Sequence, residues 1–113
     1  MWAHAMASPV SSIPNLGPAA DRDYARAGIT SAEELRALGA DTAYLAALKA
    51  GCQPHFIGFY ALVMGLQGRP WHDCSAEEKA ALRPRFDALK AQARRDAGME
   101  AILDAIGTGD RRG

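Results

Sequence analysis

Two cysteine and histidine pairs, Cys52-x-x-His55 and His72-x-Cys74, are the side chains of this 113-residue sequence best suited to chemistry. Their donors match zinc, which takes four ligands at about 2.0 to 2.3 Å in a tetrahedron. Spacing argues against a shared site. The segment between the pairs reads as a helix, and residues 55 to 67 would set its ends about 20 Å apart at 1.5 Å per residue. No metal is therefore expected, and a Cys52 to Cys74 disulfide fails for the same reason. With no export signal ahead of them, both cysteines read as free thiols. His72 and Asp73 are sequence neighbours, which does not put a carboxylate behind an imidazole. Neither Cys74 nor Ser75 has an identifiable base or oxyanion donor. The chain reads as non-enzymatic, with no catalytic residue and no cofactor.

Phosphate contact is the other chemistry on offer. Ile13-Pro14-Asn15-Leu16-Gly17 approximates the hydrophobic-Pro-Gly-hydrophobic-Gly turn of DNA-binding helix-hairpin-helix motifs. Such a turn bares backbone amides at a helix start, where they hold a phosphate without reading bases. Asn15 replaces the first glycine, and asparagine tolerates the left-handed backbone that position needs. Arg22 and Arg26 on the following helix would add charge. The competing reading, a packing turn that anchors Ile13 and Leu16, carries more weight, because residues 1–12 show no helix ahead of the hairpin.

A second basic feature runs from Arg83 to Arg95. On a helix, Arg83, Lys90 and Arg94 share a strip beside the Leu82, Phe86, Leu89 and Ala93 face. A DNA-backbone strip and a solvated, dipole-matched helix end both fit, and the latter is favoured. Trp71 reads mainly as closing the end of the core; with Arg69 it also makes a candidate partner-binding corner, since both types are enriched at interface hot spots.

The elements that position these residues are helices throughout. The length suits one domain, and no segment shows a β-pattern. Thirteen basic and thirteen acidic residues leave no net charge, so any DNA contact would be local and weak. The N-terminus lacks a signal peptide, and the longest apolar run, Phe56–Leu66, falls short of the roughly 20 residues a membrane span requires. A cytoplasmic protein with no membrane partner is expected.

Residues 1–12 read as a flexible tail, 13–106 as a helical domain and 107–113 as a polar tail. Pro18 opens a first helix that Gly28 ends. Thr30 with Glu33 forms a capping box for a second, with Leu35 and Leu38 inward. Asp41 or Thr42 caps a third, which stops at Gly51. Pro54 starts a fourth, apolar nearly all round and including Ile57, so this is the expected central element. Ser75 with Glu78 caps a fifth, which Pro84 should kink or break. Met99, Ile102, Leu103 and Ile106 suggest a last short helix.

The chain resembles the C-terminal domain of the TfoX/Sxy family of bacterial competence regulators. The likeness covers about residues 13 to 90. It rests on Ile13-Pro-Asn-Leu-Gly17, Ala27-Gly-Ile-Thr30, Glu34-Leu-Arg-Ala-Leu-Gly-Ala40, Tyr44-Leu45, Phe59-Tyr-Ala-Leu62, Leu66-Gln-Gly-Arg69 and Trp71. It implies an all-α bundle of five to six short helices related to helix-hairpin-helix folds. In the family this domain usually follows an α/β domain, and the whole protein acts with the cAMP receptor protein to switch on DNA-uptake genes. This sequence lacks that α/β domain and reads as a free-standing version. The expected role is a regulatory or accessory module in DNA-related processes that engages a protein partner. The alternative is a protein-interaction or homo-oligomer domain that never touches DNA.

Overall fold

A computed structural model describes residues 7–112, with side chains through Met99. The described residues form five α-helices: α1 (Pro18–Arg26), α2 (Ala32–Leu38), α3 (Ala40–Lys49), α4 (Phe56–Leu66) and α5 (Ala76–Arg112). Single 3-10 turns lie at Val10–Ser12 and Trp71–Asp73. The expected all-α class holds, with no strand among the described residues.

Helix α4 is the central element its composition demanded, burying Phe59 through Gly65 without a break. Its Phe59 ring lies 5.2 Å from Tyr44 of α3 and 6.0 Å from Phe86 of α5, and Phe56 lies 5.4 Å from Phe86. These rings join three helices in one apolar cluster. The Tyr44 hydroxyl accepts from the His55 amide at 3.1 Å and donates to the His55 carbonyl at 3.2 Å. That pair pins the loop entering α4 to α3. His55 is extended, so α4 starts at Phe56 and Pro54 precedes it. Ile57, expected inside, is 58% exposed.

Several local expectations shift by a residue. Ser31, not Thr30, caps α2: its hydroxyl accepts from the Glu34 amide, while the Glu34 carboxylate accepts from the Thr30 amide and hydroxyl. Glu33 is engaged elsewhere, accepting from the Ser8 amide at 3.0 Å. Leu38 is 44% exposed rather than inward. Gly39 alone joins α2 to α3, which therefore starts at Ala40, ahead of the expected Asp41 or Thr42 cap. A one-residue helix junction needs φ of +84°, which glycine adopts without a Cβ penalty.

The N-terminal expectation is corrected for residues 8–12. The Ser8 carbonyl accepts from the Ala32 amide at 2.8 Å, the Ser11 amide donates to Asp21 at 2.8 Å, and Val10 is buried in the core. Residues 1–6 lie outside the described residues. Pro84 does not break α5, which is one helix through Arg112. The carbonyl that proline deprives of a partner belongs to Ala80, which is exposed, as is Pro84, and water can serve it. The expected last short helix is the continuation of α5. Ile102, Leu103, Ile106 and the 107–113 tail have side chains outside the described residues.

Candidate interaction surface

The hairpin is a turn locked to the rest of the fold. Asn15 has φ of +73°, the left-handed geometry expected of it. Its side-chain amide donates to the Ala61 carbonyl at 3.0 Å and to the Arg69 carbonyl at 2.9 Å, and its oxygen accepts from the Trp71 amide at 2.9 Å. One side chain thus ties the hairpin, α4 and the segment after α4 together. Ile13 is fully buried, and the Leu16 amide donates to the Ile13 carbonyl. Gly65 of α4 permits the contact, since a Cβ there would stand 2.3 Å from the Pro14 oxygen.

Gly17 precedes α1 in extended backbone, and Asp21 occupies the first turn with its carboxylate on the Ser11 amide. An acid at that helix end competes with any phosphate for the dipole. Arg26 pairs with Asp23 at 2.7 Å, whereas exposed Arg22 makes no ion pair among the described residues.

Arg69 and Trp71 form a rigid corner beside this turn. The Arg69 guanidinium makes a two-pronged pair with Glu78 at 2.7 and 3.1 Å and also donates to the Asp73 carbonyl at 3.1 Å. Glu78 closes the expected capping box with Ser75. The Arg69 hydrogen bonds, then the Ser75 amide, hold the Glu78 carboxyl at about 2. Bound on both prongs, Arg69 positions the corner. Trp71 does not close the core as expected, because it is 46% exposed.

The basic residues of α5 are largely engaged within the fold. Arg83 pairs with Asp87 at 3.2 Å and lies over the Phe56 and Phe86 rings, and Lys90 sits 4.7 Å from the Phe86 centroid and 3.6 Å from Asp87. Arg85 pairs with Asp41. Arg94 makes no ion pair among the described residues; with Lys90 it edges a groove of about 240 Å³ against Leu48 and Cys52.

The four thiol and imidazole groups do not converge. Cys52 and His55 lie at the start of α4 and His72 and Cys74 beyond its end. Among the described residues no group of three or more His, Cys, Asp or Glu is placed to hold a metal. Burial pushes both thiols up, and for Cys52 nearby Asp23 adds to the rise, so neither is an activated nucleophile. A hollow of about 180 Å³ between α1 and α3 is lined by Tyr24, Tyr44, Cys52 and Asp23. Burial pushes the Tyr24 hydroxyl up as well, so both phenol and thiol stay protonated at neutral pH.

A family model described as the TfoX C-terminal domain matches residues 6–86. The chain belongs to that family. The matched range takes in Val10, the hairpin, the Trp71 corner and α5 as far as Phe86, so the tie through Asn15 lies wholly within it. Membership points to a regulatory, competence-related module. No curated protein and no solved structure gives a significant match. Among the described residues no helix is long and apolar enough to cross a membrane. Sequence reasoning had not foreseen the parts played by Asn15 as a tie and Glu78 as the anchor of Arg69. The Ser75/Glu78 spacing was the available signal for the second; nothing local signalled the first.

Proposed function

We propose that this domain is a non-enzymatic accessory module in DNA-related processes, transcription or competence regulation, working in the cytoplasm by holding a protein partner against the Trp71 corner. The observation that carries the reading is the half-exposed Trp71 ring on a backbone held by Asn15 and Arg69. A large ring on a rigid mount loses little conformational freedom on binding, which favours it as an interface anchor. Arg69 serves as its mount. The balanced net charge and the internal pairing of Arg83, Arg85 and Lys90 support protein over DNA as the main partner.

A second reading keeps weak, sequence-independent DNA-backbone contact at Asn15, Leu16 and Gly17, aided by Arg22 and, on α5, Arg94. Their lack of ion pairs among the described residues favours it, and Asp21 in the first turn of α1 opposes it. Pull-downs from the source cell with the wild type, Trp71→Ala and Gly17→Glu separate the two. Loss of the captured partners with Trp71→Ala and their retention with Gly17→Glu is the expected result, and capture indifferent to Trp71→Ala overturns the proposal. Binding of mixed-sequence duplex that falls steeply with salt and vanishes in Gly17→Glu would transfer the role to the hairpin.

A further inference from the structure

Tyr24 keeps an unspent donor inside the core. The residue is only 6% exposed, and a phenol so deeply buried ordinarily finds a hydrogen-bond partner. Its neighbour Tyr44 has one, spending donor and acceptor alike on the His55 backbone. Asp23 beside it takes Arg26, and Asp21 takes the Ser11 amide. Nothing among the described residues takes the Tyr24 hydroxyl. Yet no fully sealed side-chain oxygen or nitrogen lacks a partner there, so this hydroxyl reaches open space. Tyr24 lines the hollow of about 180 Å³ between α1 and α3, which is where that space lies.

Helix α4 opens on the same hollow. His55, at its N-cap, and Gly58, in its first turn, both line it. No side chain caps this 11-residue helix, and no acid stands in its first turn. The amides of Phe56, Ile57 and Gly58 donate to no protein acceptor among the described residues. A helix start in that condition favours an anion, which its free amides and dipole both attract. Two independent sets of donors thus meet at one hollow, a buried hydroxyl from α1 and backbone amides from α4.

The remaining walls limit what can enter. Leu16, Ala20 and Ala47 make one side apolar. Asp23 is the acid on the lining, and Arg26 offsets its charge at 2.7 Å. An apolar wall and a nearby carboxylate, even a paired one, disfavour a dianion such as phosphate. The volume is below the roughly 300 to 1,000 Å³ of clefts that take drug-sized ligands. The fitting molecule has few heavy atoms, one singly charged oxygen acceptor and a short apolar tail.

We propose that this hollow is a binding site for a short-chain monocarboxylate, whose carboxylate accepts from the Tyr24 hydroxyl and the first-turn amides of α4 while its alkyl chain lies against Leu16, Ala20 and Ala47. The site is separate from the Trp71 corner, and either reading can fail alone.

Titration of the full chain with sodium propionate, at ionic strength held constant with sodium chloride and followed by amide NMR, tests it. Saturable shifts concentrated at Cys52 and from Phe56 to Gly58 are expected, with a Kd on the order of 1 mM, which is within reach of a ligand of about five heavy atoms. Occupancy should also slow labelling of Cys52, which lines the hollow. Tyr24→Phe removes the hydroxyl alone. It is expected to raise the Kd about 10-fold, the effect of one hydrogen bond to a charged group, and to leave Tm unchanged, because that hydroxyl holds nothing in the fold. Propionamide should bind at least about 10-fold more weakly than propionate, and propylamine and inorganic phosphate more weakly still. No saturable shift at about 20 mM propionate, well past the expected Kd, overturns the proposal. So does affinity indifferent to Tyr24→Phe, a fall in Tm in that variant, or a preference for propylamine, propionamide or phosphate over propionate.

Discussion

Two glycines of α4 should respond to the same substitution with opposite signs. Intrinsic helix propensity favours alanine over glycine by about 1 kcal/mol, so propensity alone has Gly58→Ala and Gly65→Ala both stabilising. The surroundings divide them. At Gly58 a new Cβ meets nothing nearer than the His55 Cβ at 3.9 Å, and the gain of about 0.5 to 1 kcal/mol should appear in full. At Gly65 it would stand 2.3 Å from the Pro14 oxygen and 3.1 Å from Ile13 Cγ2. Restoring ordinary contact moves the hairpin by about 1 Å, beyond the tolerance of a hydrogen bond. The next residue is Asn15, with three such bonds at 2.9 to 3.0 Å. Losing them at about 1 kcal/mol each outweighs the propensity gain, for a net loss of about 2 kcal/mol. Ile13, displaced from the core, adds to it. Thermal denaturation followed by circular dichroism reads the pair: Gly65→Ala should lower Tm by about 10 °C and Gly58→Ala raise it by a few degrees. Equal shifts in the two variants would refute the docking of the hairpin on α4.

Pro84→Ala should stabilise the domain by about 1 to 3 kcal/mol in urea denaturation, because the proline sits exposed in an uninterrupted stretch of α5; a loss of stability would mean that Pro84 shapes the helix. Glu78 has a folded pKa depressed from 4.5 to about 2, so its pairing with Arg69 contributes fully above pH 4.5 and is lost as pH falls towards 2. The stability gap between wild type and Glu78→Gln should therefore be open above pH 4.5 and close over that window, and a gap constant with pH would disprove the pairing. Native-state labelling with a disulfide reagent at pH 7 should be slow at Cys52 and slower at Cys74, whose thiol is buried and pushed up by burial; rapid reaction at Cys74 would contradict its burial.

What could be read from the sequence was local. The Ser75/Glu78 box, the left-handed Asn15 and the all-round apolar Phe56–Leu66 helix each depend on residues within a few positions of one another, and each is present. The misreadings arose where two local choices were nearly equal and a distant group decided. Thr30/Glu33 and Ser31/Glu34 are equally good boxes on paper. The Ser8 amide engages Glu33, and the cap moves by one residue. Val10 has no periodic neighbours to mark it, and enters the core because the backbone of Ser8 and Ser11 is tied to α2 and α1. Pro84 shows the converse, a strong local signal made harmless by solvent on its side of the helix.

The candidate sites followed the same division, and this bears on function. Polar residues that looked available for a ligand, Asn15, Arg69, Arg83 and Lys90, spend their hydrogen-bonding or charge on the fold itself. A group already satisfied at short range gains little from an incoming phosphate, because a new contact replaces an old one instead of replacing water. Exposed apolar groups have no such competitor: the Trp71 ring and the Met99 side chain still face solvent, and covering them recovers hydrophobic free energy at no internal cost. Recognition by this domain should therefore be strongest where it is least polar, at the Trp71 corner and around Met99.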